Sequence, residues 1–204
     1  MVGLTYIEII IVLAIIPLII LLTTSIFKLQ NYFSEIRDIQ RIQDLNSLNT
    51  ALSFYIKNTK EIDLDGPYLY NRGVDEEIPT IFISVPSEEY KSFEKCFYYP
   101  DNKTYYIYQA SKNEYRKING RGWVPVNFTD VNYQAISVLP IDPINSLSKG
   151  FYYLFAFRKN PVQYEFSAAL ESSKYKKGGI NDKVSTDGGN DDNRLEVGLN
   201  LYII

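Results

Sequence analysis

The sequence predicts an α+β protein in which one long N-terminal α-helix packs on a C-terminal antiparallel β-sheet. Residues 18–65 contain neither glycine nor proline, and residues 26–58 are rich in residues that favour helices. Beyond them, tyrosine and phenylalanine cluster in short runs at 97–99, 105–108 and 151–153, and such aromatic runs favour β-strands. With 204 residues, the chain has room for one such helix and a single globular domain.

Composition excludes several kinds of enzyme. The chain has no histidine, and Cys96 is its only cysteine. Ser-His-Asp catalysis, zinc sites built from cysteine and histidine, and intramolecular disulfides are therefore impossible. The net charge of −3 argues against nucleic acid as a direct high-affinity ligand. Acid pairs such as Asp191 and Asp192 come without a motif that would place a substrate, so we expect no catalytic residues and no enzymatic activity.

The N-terminal region carries one carboxylate next to a long apolar run. Glu8 directly precedes residues 9–22, which contain no charged side chain. A charge at bilayer depth costs about 2.5–3.5 kcal/mol on insertion scales, so it usually serves a function. A cleavable secretory signal would need a basic start and a small-residue cleavage site, and both are missing here. An ordinary membrane anchor would explain the length of residues 4–27 but not Glu8.

The string GLTYIE at residues 3–8, followed by the apolar run, resembles the N-terminus of type IV pilins and of the pseudopilins of type II secretion. The resemblance implies that a prepilin peptidase cuts between Gly3 and Leu4, and that Leu4 becomes an N-methylated first residue. It also implies that Glu8 pairs with the Leu4 amine of a neighbouring subunit during filament assembly. Residues 1–3 would be the remnant of a leader, although this remnant lacks the usual Lys or Arg before the glycine.

One helix is expected over residues 4–58, with a transmembrane or filament-core half at 4–27 and an amphipathic half at 28–58. Pro17 removes an intrahelical hydrogen bond and is expected to kink the helix. Between residues 36 and 48 an aliphatic side chain recurs at every third position, which makes the apolar surface spiral around the helix. We expect one part of this surface to face neighbouring subunits, namely Ile36, Ile39 and Ile42. The part expected to face the chain's own domain comprises Leu45, Leu48, Leu52, Tyr55 and Ile56.

Residues 59–204 are expected to form a globular β domain. Glycine and proline interrupt residues 59–122, which predicts a long connecting loop with short elements. Two hairpins and a final strand are predicted, at residues 97–99 with 105–110, 151–158 with 162–170, and 195–204. The C-terminal half resembles that of the major pseudopilin of type II secretion. The whole resemblance therefore implies a pilin-like fold.

A glycine-bearing loop rich in acids and amides precedes the final strand. Such oxygens suit Ca²⁺, which takes about six to eight oxygen ligands. The candidate ligands are Asp187, Asn190, Asp191 and Asp192. Major pseudopilins are similar in holding calcium in a C-terminal loop, and no other cofactor is expected. A solvated acidic turn is the alternative interpretation.

The resemblance implies a structural subunit of a type IV pilus-like filament. Its partners would be further copies of itself, the prepilin peptidase and a pilus or secretion assembly machinery. Before assembly it would be a single-pass protein of the cytoplasmic (inner) membrane, and afterwards part of a cell-surface filament or a periplasmic pseudopilus. Two alternatives stay open: a major pseudopilin of type II secretion and, from another class, a membrane-anchored periplasmic enzyme or binding domain.

Overall fold

A long helix at the N-terminus dominates the computed structural model. The structure describes residues 5–66, 80–88, 92–98, 103–131 and 135–204. Helix α1 spans Tyr6–Asn58, and its end agrees with the predicted one. Pro17 lies inside it, and the helix is continuous through this position, so the kink stays a prediction. The α+β class with a long N-terminal helix is confirmed.

Six strands form one sheet. They are β1 (Thr80–Ser87), β2 (Ser92–Tyr98), β3 (Lys103–Ser111), β4 (Tyr153–Lys159), β5 (Val162–Ala169) and β6 (Arg194–Gly198). A short 3-10 helix spans Phe128–Asp130. The order in the sheet is β2-β3-β1-β4-β5-β6. Both predicted hairpins are present, since β2 pairs with β3 and β4 pairs with β5, each antiparallel. The final strand is shorter than predicted, because β6 ends at Gly198.

The prediction of a purely antiparallel sheet is wrong at one pairing. Strands β1 and β3 run parallel, with Thr80 opposite Tyr106 and Phe82 opposite Tyr108. Strand β2 lies at the outer edge of the sheet, and β3 lies between β2 and β1. Strand β1 itself lies in the segment predicted to be mainly connecting loop. Pro86 contributed to that prediction, and it sits where the register of β1 shifts, a position that proline tolerates in a sheet.

Helix α1 covers one face of the sheet. Four of the five side chains predicted to face the chain's own domain are fully buried there: Leu45, Leu48, Leu52 and Tyr55. The fifth, Ile56, is partly buried against the same core. Aromatic side chains of the strands pack under the helix, and the rings of Phe155 and Phe166 stack with 4.8 Å between centroids. Because this core joins the helix to β4 and β5, the helix and the sheet form one packed unit.

The opposite face of the sheet is covered by the end of the chain. Alternate residues of β1 and β4, including Ile83 and Leu154, point to this second face, as the two-residue period of a strand requires. Ile203 and Ile204 pack on it and are only 4% and 5% exposed. The C-terminal residues therefore close a second, smaller core.

Candidate assembly surface and its anchoring network

The first turn of α1 gives Glu8 a local partner. The backbone N–H of Thr5 donates a 2.7 Å hydrogen bond to Oε2 of Glu8. Glu8 thereby pairs with a backbone N–H that has no partner within the helix, as in a capping box. This second role was not predicted from the sequence, although Thr5 and Glu8 have the required spacing. The predicted processing residues Gly3 and Leu4 lie outside the described residues.

The first part of α1 presents apolar side chains to the outside. Every large apolar side chain that is described between Tyr6 and Leu21 is at least 47% exposed. Because Ile10, Ile11, Val12 and Leu13 are consecutive, this exposure extends to every side of the helix. A continuous apolar surface of this size usually marks an interaction site.

An apolar stripe continues this surface alongside the globular domain. We call it the exposed helix stripe; it consists of Leu29, Tyr32, Phe33, Ile36 and Ile39, which are 42–61% exposed. Their spacing places them on one face of the helix, roughly opposite the face that packs on the sheet. Ile42 was predicted to belong with them, but it is partly buried against the core. It lies three residues before Leu45 and so at the edge of the buried face.

A buried ion network fixes α1 to the globular domain. The guanidinium of Arg41, which is fully buried, donates two hydrogen bonds to Asp142, at 2.6 and 3.0 Å. The same group bonds Asp38 at 2.9 Å and lies 2.5 Å from a carboxylate oxygen of Glu171. Arg37 donates two more hydrogen bonds to Glu171, at 2.8 and 2.6 Å. Two arginines and three carboxylates thus join the helix to the segments before β4 and after β5.

The arginines of this network and Glu171 hold one another in the ionised state. Burial alone lowers the pKa of Arg41, but the hydrogen bonds and charges of Asp142 and Glu171 outweigh it and raise that pKa. Burial raises the pKa of Glu171, and Arg37 and Arg41 outweigh this effect and lower it. The carboxylate of Asp38 also accepts the backbone N–H groups of Glu171 and its neighbour, at 2.8 and 2.7 Å. Every charge therefore has specific partners, as a buried ion network requires.

A second pair of buried acids holds the end of the chain. Glu165 on β5 and Glu196 on β6 are 1% and 3% exposed. Oε2 of Glu165 accepts the backbone N–H groups of Ile203 and Ile204, at 3.0 and 3.3 Å. Oε1 of Glu196 is buried and has no hydrogen-bond partner within the described residues, so a proton shared with Glu165 would satisfy it. Burial and the adjacent Glu196 raise the pKa of Glu165 to about 9.

Replacing Glu165 with glutamine is expected to flatten the dependence of stability on pH. The folded-state pKa of about 9 lies above the ordinary value of 4.5, so the folded chain holds an extra proton between these values. The stabilisation is complete below the ordinary pKa, and the free energy of unfolding falls as the pH rises toward 9. Glutamine can make the same hydrogen bonds without titrating. At pH 9 we expect Glu165→Gln to be more stable than the unmodified chain by several kcal/mol, because the shift from 4.5 to about 9 sets an upper limit of about 6 kcal/mol at about 1.4 kcal/mol per pKa unit.

Urea unfolding at several pH values measures this difference. Glu88→Gln is a suitable control, because Glu88 is exposed on the surface. It should leave the pH profile unchanged. Parallel profiles for Glu165→Gln and the unmodified chain would contradict the shared proton.

The loop before β6 carries the predicted calcium ligands Asp187, Asn190, Asp191 and Asp192. Asp187 and Asp191 accept hydrogen bonds from backbone N–H groups of the loop or of β6. Asn190 donates to the carbonyl of Ile204, and Asp192 pairs with Lys177. Across the described ranges, no three or more His, Cys, Asp or Glu residues are grouped to hold a metal ion. Calcium stays a prediction for this loop.

Comparison with known proteins adds no relative. No protein-family model matches the chain, and neither the curated proteins nor the solved structures contain a match. Within the part of the chain that the structure describes, no helix combines the length and the apolar character needed to cross a membrane. The fold and the surface define the class as a globular α+β domain with a long helix whose first part is apolar and exposed.

Proposed function

We propose that the chain is a structural subunit of a type IV pilus-like filament, processed after Gly3 and assembled through α1. The observation that carries this proposal is the exposed apolar surface of α1, which includes the exposed helix stripe. Burying apolar surface stabilises an assembly by about 25 cal/mol per Å², and a helix exposed on all sides supplies contacts to several neighbours. Copies of this chain carry the same surface and are the partners proposed for it.

The proposed assembly places the helices in parallel, with the globular domains outside. Repetition of one head-to-tail contact produces an open helical filament when the rotation between subunits does not close a ring. The Leu4 amine that processing would create then pairs with Glu8 of a neighbour, so that neither charge is buried alone. The proposed role of Glu8 therefore combines a helix cap within the subunit with a pairing contact between subunits.

Before assembly, we place residues 4–27 in the cytoplasmic membrane. The prepilin peptidase and an assembly machinery act on the subunit there, and the product is a cell-surface filament. A major pseudopilin of type II secretion is the alternative within the same class, since it would use the same helix in a periplasmic pseudopilus. An assembly ATPase encoded alongside a peptidase alone would favour the pilus, whereas a secretin with secreted hydrolases would favour secretion.

A membrane-anchored periplasmic enzyme or binding domain is the alternative from another class. A membrane anchor needs about 20 apolar residues. The exposed helix stripe reaches Ile39, well beyond such a length, and its last residues lie where Glu35 and Arg37 pair with the globular domain. An anchored enzyme would leave this stripe exposed to water, whereas a filament subunit buries it against neighbours. The stripe thus favours the filament subunit.

Replacing Ile36 and Ile39 together with aspartate is expected to reduce the filament yield at least tenfold. Each aspartate would enter an interface without a partner, and one such buried charge costs several kcal/mol. The yield can be measured by shearing filaments from cells that express the assembly machinery, followed by sedimentation and electron microscopy. The folded domain should lose little stability, because both positions are exposed.

Leu147→Asp is the matched control. Leu147 is 46% exposed, close to the 44% of Ile36, but it belongs to the segment before β4 and not to α1. This variant should assemble normally. Normal filaments from the Ile36→Asp, Ile39→Asp variant would contradict the proposed function and return the anchored enzyme or binding domain to consideration.

A further inference from the structure

A lysine-rich loop at residues 174–183 carries an isolated apolar side chain at the surface. Ile180 is 95% exposed, more than any other large hydrophobic residue that the structure describes. The loop contains four lysines and one acid, although the whole chain has a net charge of −3. That acid, Asp182, is directed into the loop itself, where it accepts the backbone N–H groups of Gly178 and Val184 at 2.7 and 3.0 Å. The outer surface of the loop therefore combines positive charge with one exposed isoleucine.

Several of the cations on this side of the domain are available to a partner. Lys174 pairs with Glu35 at 2.9 Å, and Lys177 pairs with Asp192. Within the described ranges, no ion pair involves Lys176 or Lys183, and the same holds for Lys149. Lys149, Lys176 and Lys177 line a cleft of about 420 Å³ together with Phe151 and Leu170.

The ion pair between Lys174 and Glu35 places this loop beside α1 at the level of Glu35. Tyr32 and Phe33, which are 61% and 50% exposed, lie just before that level. Aromatic side chains are enriched where a membrane helix leaves the hydrocarbon. The 30 residues from 4 to 33 would span about 45 Å as a helix, close to the thickness of a bilayer with its headgroups. Glu35 lies about 3 Å farther along the helix axis.

We propose that, before assembly, this loop rests on an anionic membrane surface. Ile180 enters the headgroup region, and Lys149, Lys176 and Lys183 contact lipid phosphates. Lysines around an exposed apolar residue form a surface of this kind, because anionic lipids attract the cations while the apolar side chain leaves water. The proposal rests on the membrane-inserted state of residues 4–27 in the proposed function. It adds a second contact, which assembly must break.

A fluorescent probe at position 180 tests this contact in the full-length chain. Ile180→Cys in a Cys96→Ser background is labelled with an environment-sensitive dye and reconstituted into vesicles. We expect a blue shift in vesicles that contain phosphatidylglycerol, and no shift in vesicles of phosphatidylcholine alone. High salt should reverse the shift, because it screens exposed charges. Ile62→Cys in the same background is the control, since Ile62 follows the far end of α1, and its dye should not respond to the lipid.

A charge variant separates this contact from insertion of the helix. Lys176→Glu with Lys183→Glu should abolish the blue shift while the chain still floats with the vesicles. An unshifted dye on a floating chain, or an equal shift in both kinds of vesicle, would overturn the anionic contact and leave the filament proposal intact. Failure of the unmodified chain to float would overturn both the contact and the proposed membrane state. Filament yield, measured separately, reports on the proposed assembly.

Discussion

Replacing Arg41 with alanine is expected to lower the free energy of unfolding by about 3–5 kcal/mol, because the substitution leaves buried carboxylates without their cation. The side chains of Arg41, Asp38 and Asp142 are all fully buried. Water cannot replace the lost partner at these positions without opening the contact between α1 and the globular domain. The helix should therefore loosen from the domain as the stability falls.

Urea unfolding of the full-length chain in a mild detergent measures this loss. Trp123 is the only tryptophan and is fully buried, so its fluorescence reports on the core. Arg37→Ala is the matched control, since Arg37 shares Glu171 with Arg41 but its side chain is 33% exposed. That control should cost about 1 kcal/mol or less. If Arg41→Ala cost no more than Arg37→Ala, the network would not be what fixes the helix.

Replacing Glu8 with glutamine is expected to reduce filament yield at least tenfold while the helix start stays intact. Glutamine can still accept the hydrogen bond from the Thr5 backbone N–H, as it does in capping boxes. It cannot neutralise the ammonium of a neighbouring Leu4, and an uncompensated buried charge costs about 3–5 kcal/mol. This variant therefore separates the cap, which the structure contains, from the intersubunit pair, which the family resemblance implies.

Two measurements accompany this experiment. Sheared filaments give the yield, and mass spectrometry of the membrane fraction gives the N-terminus, which should begin at Leu4 in both the variant and the unmodified chain. Glu8→Asp is a useful control, because it keeps the charge on a shorter side chain and should recover part of the yield. Full assembly of Glu8→Gln would show that Glu8 acts as a helix cap alone. A chain that still begins at Met1 would contradict processing after Gly3.

Local patterns in the sequence predicted much of the fold. The helix end at Asn58, the buried side chains from Leu45 to Tyr55 and both hairpins follow from spacing and turn residues within short segments. The exposed positions of Ile36 and Ile39 were also predicted correctly. These features depend on the period of a helix or a strand, which a sequence displays directly.

Part of the candidate site was also within reach of the sequence. Asp38 and Arg41 precede Leu45 by seven and four residues, so the buried face of α1 could have been extended to include them. Neither side chain was assigned a place in the fold from the sequence. Thr5 and Glu8 likewise displayed the spacing of a helix cap.

The sequence by itself determined the elements: one long helix with an apolar N-terminal half, a second apolar face along its C-terminal half, and aromatic strands joined in hairpins. Only the tertiary structure decided how they combine. It placed β1 parallel to β3, brought Asp142 to Arg41 across 101 residues, and set Glu165 beside Glu196 under the end of the chain. The reason is physical: periodicity acts within a single element, whereas strand order and buried charge pairs depend on distant segments that meet only when the core forms.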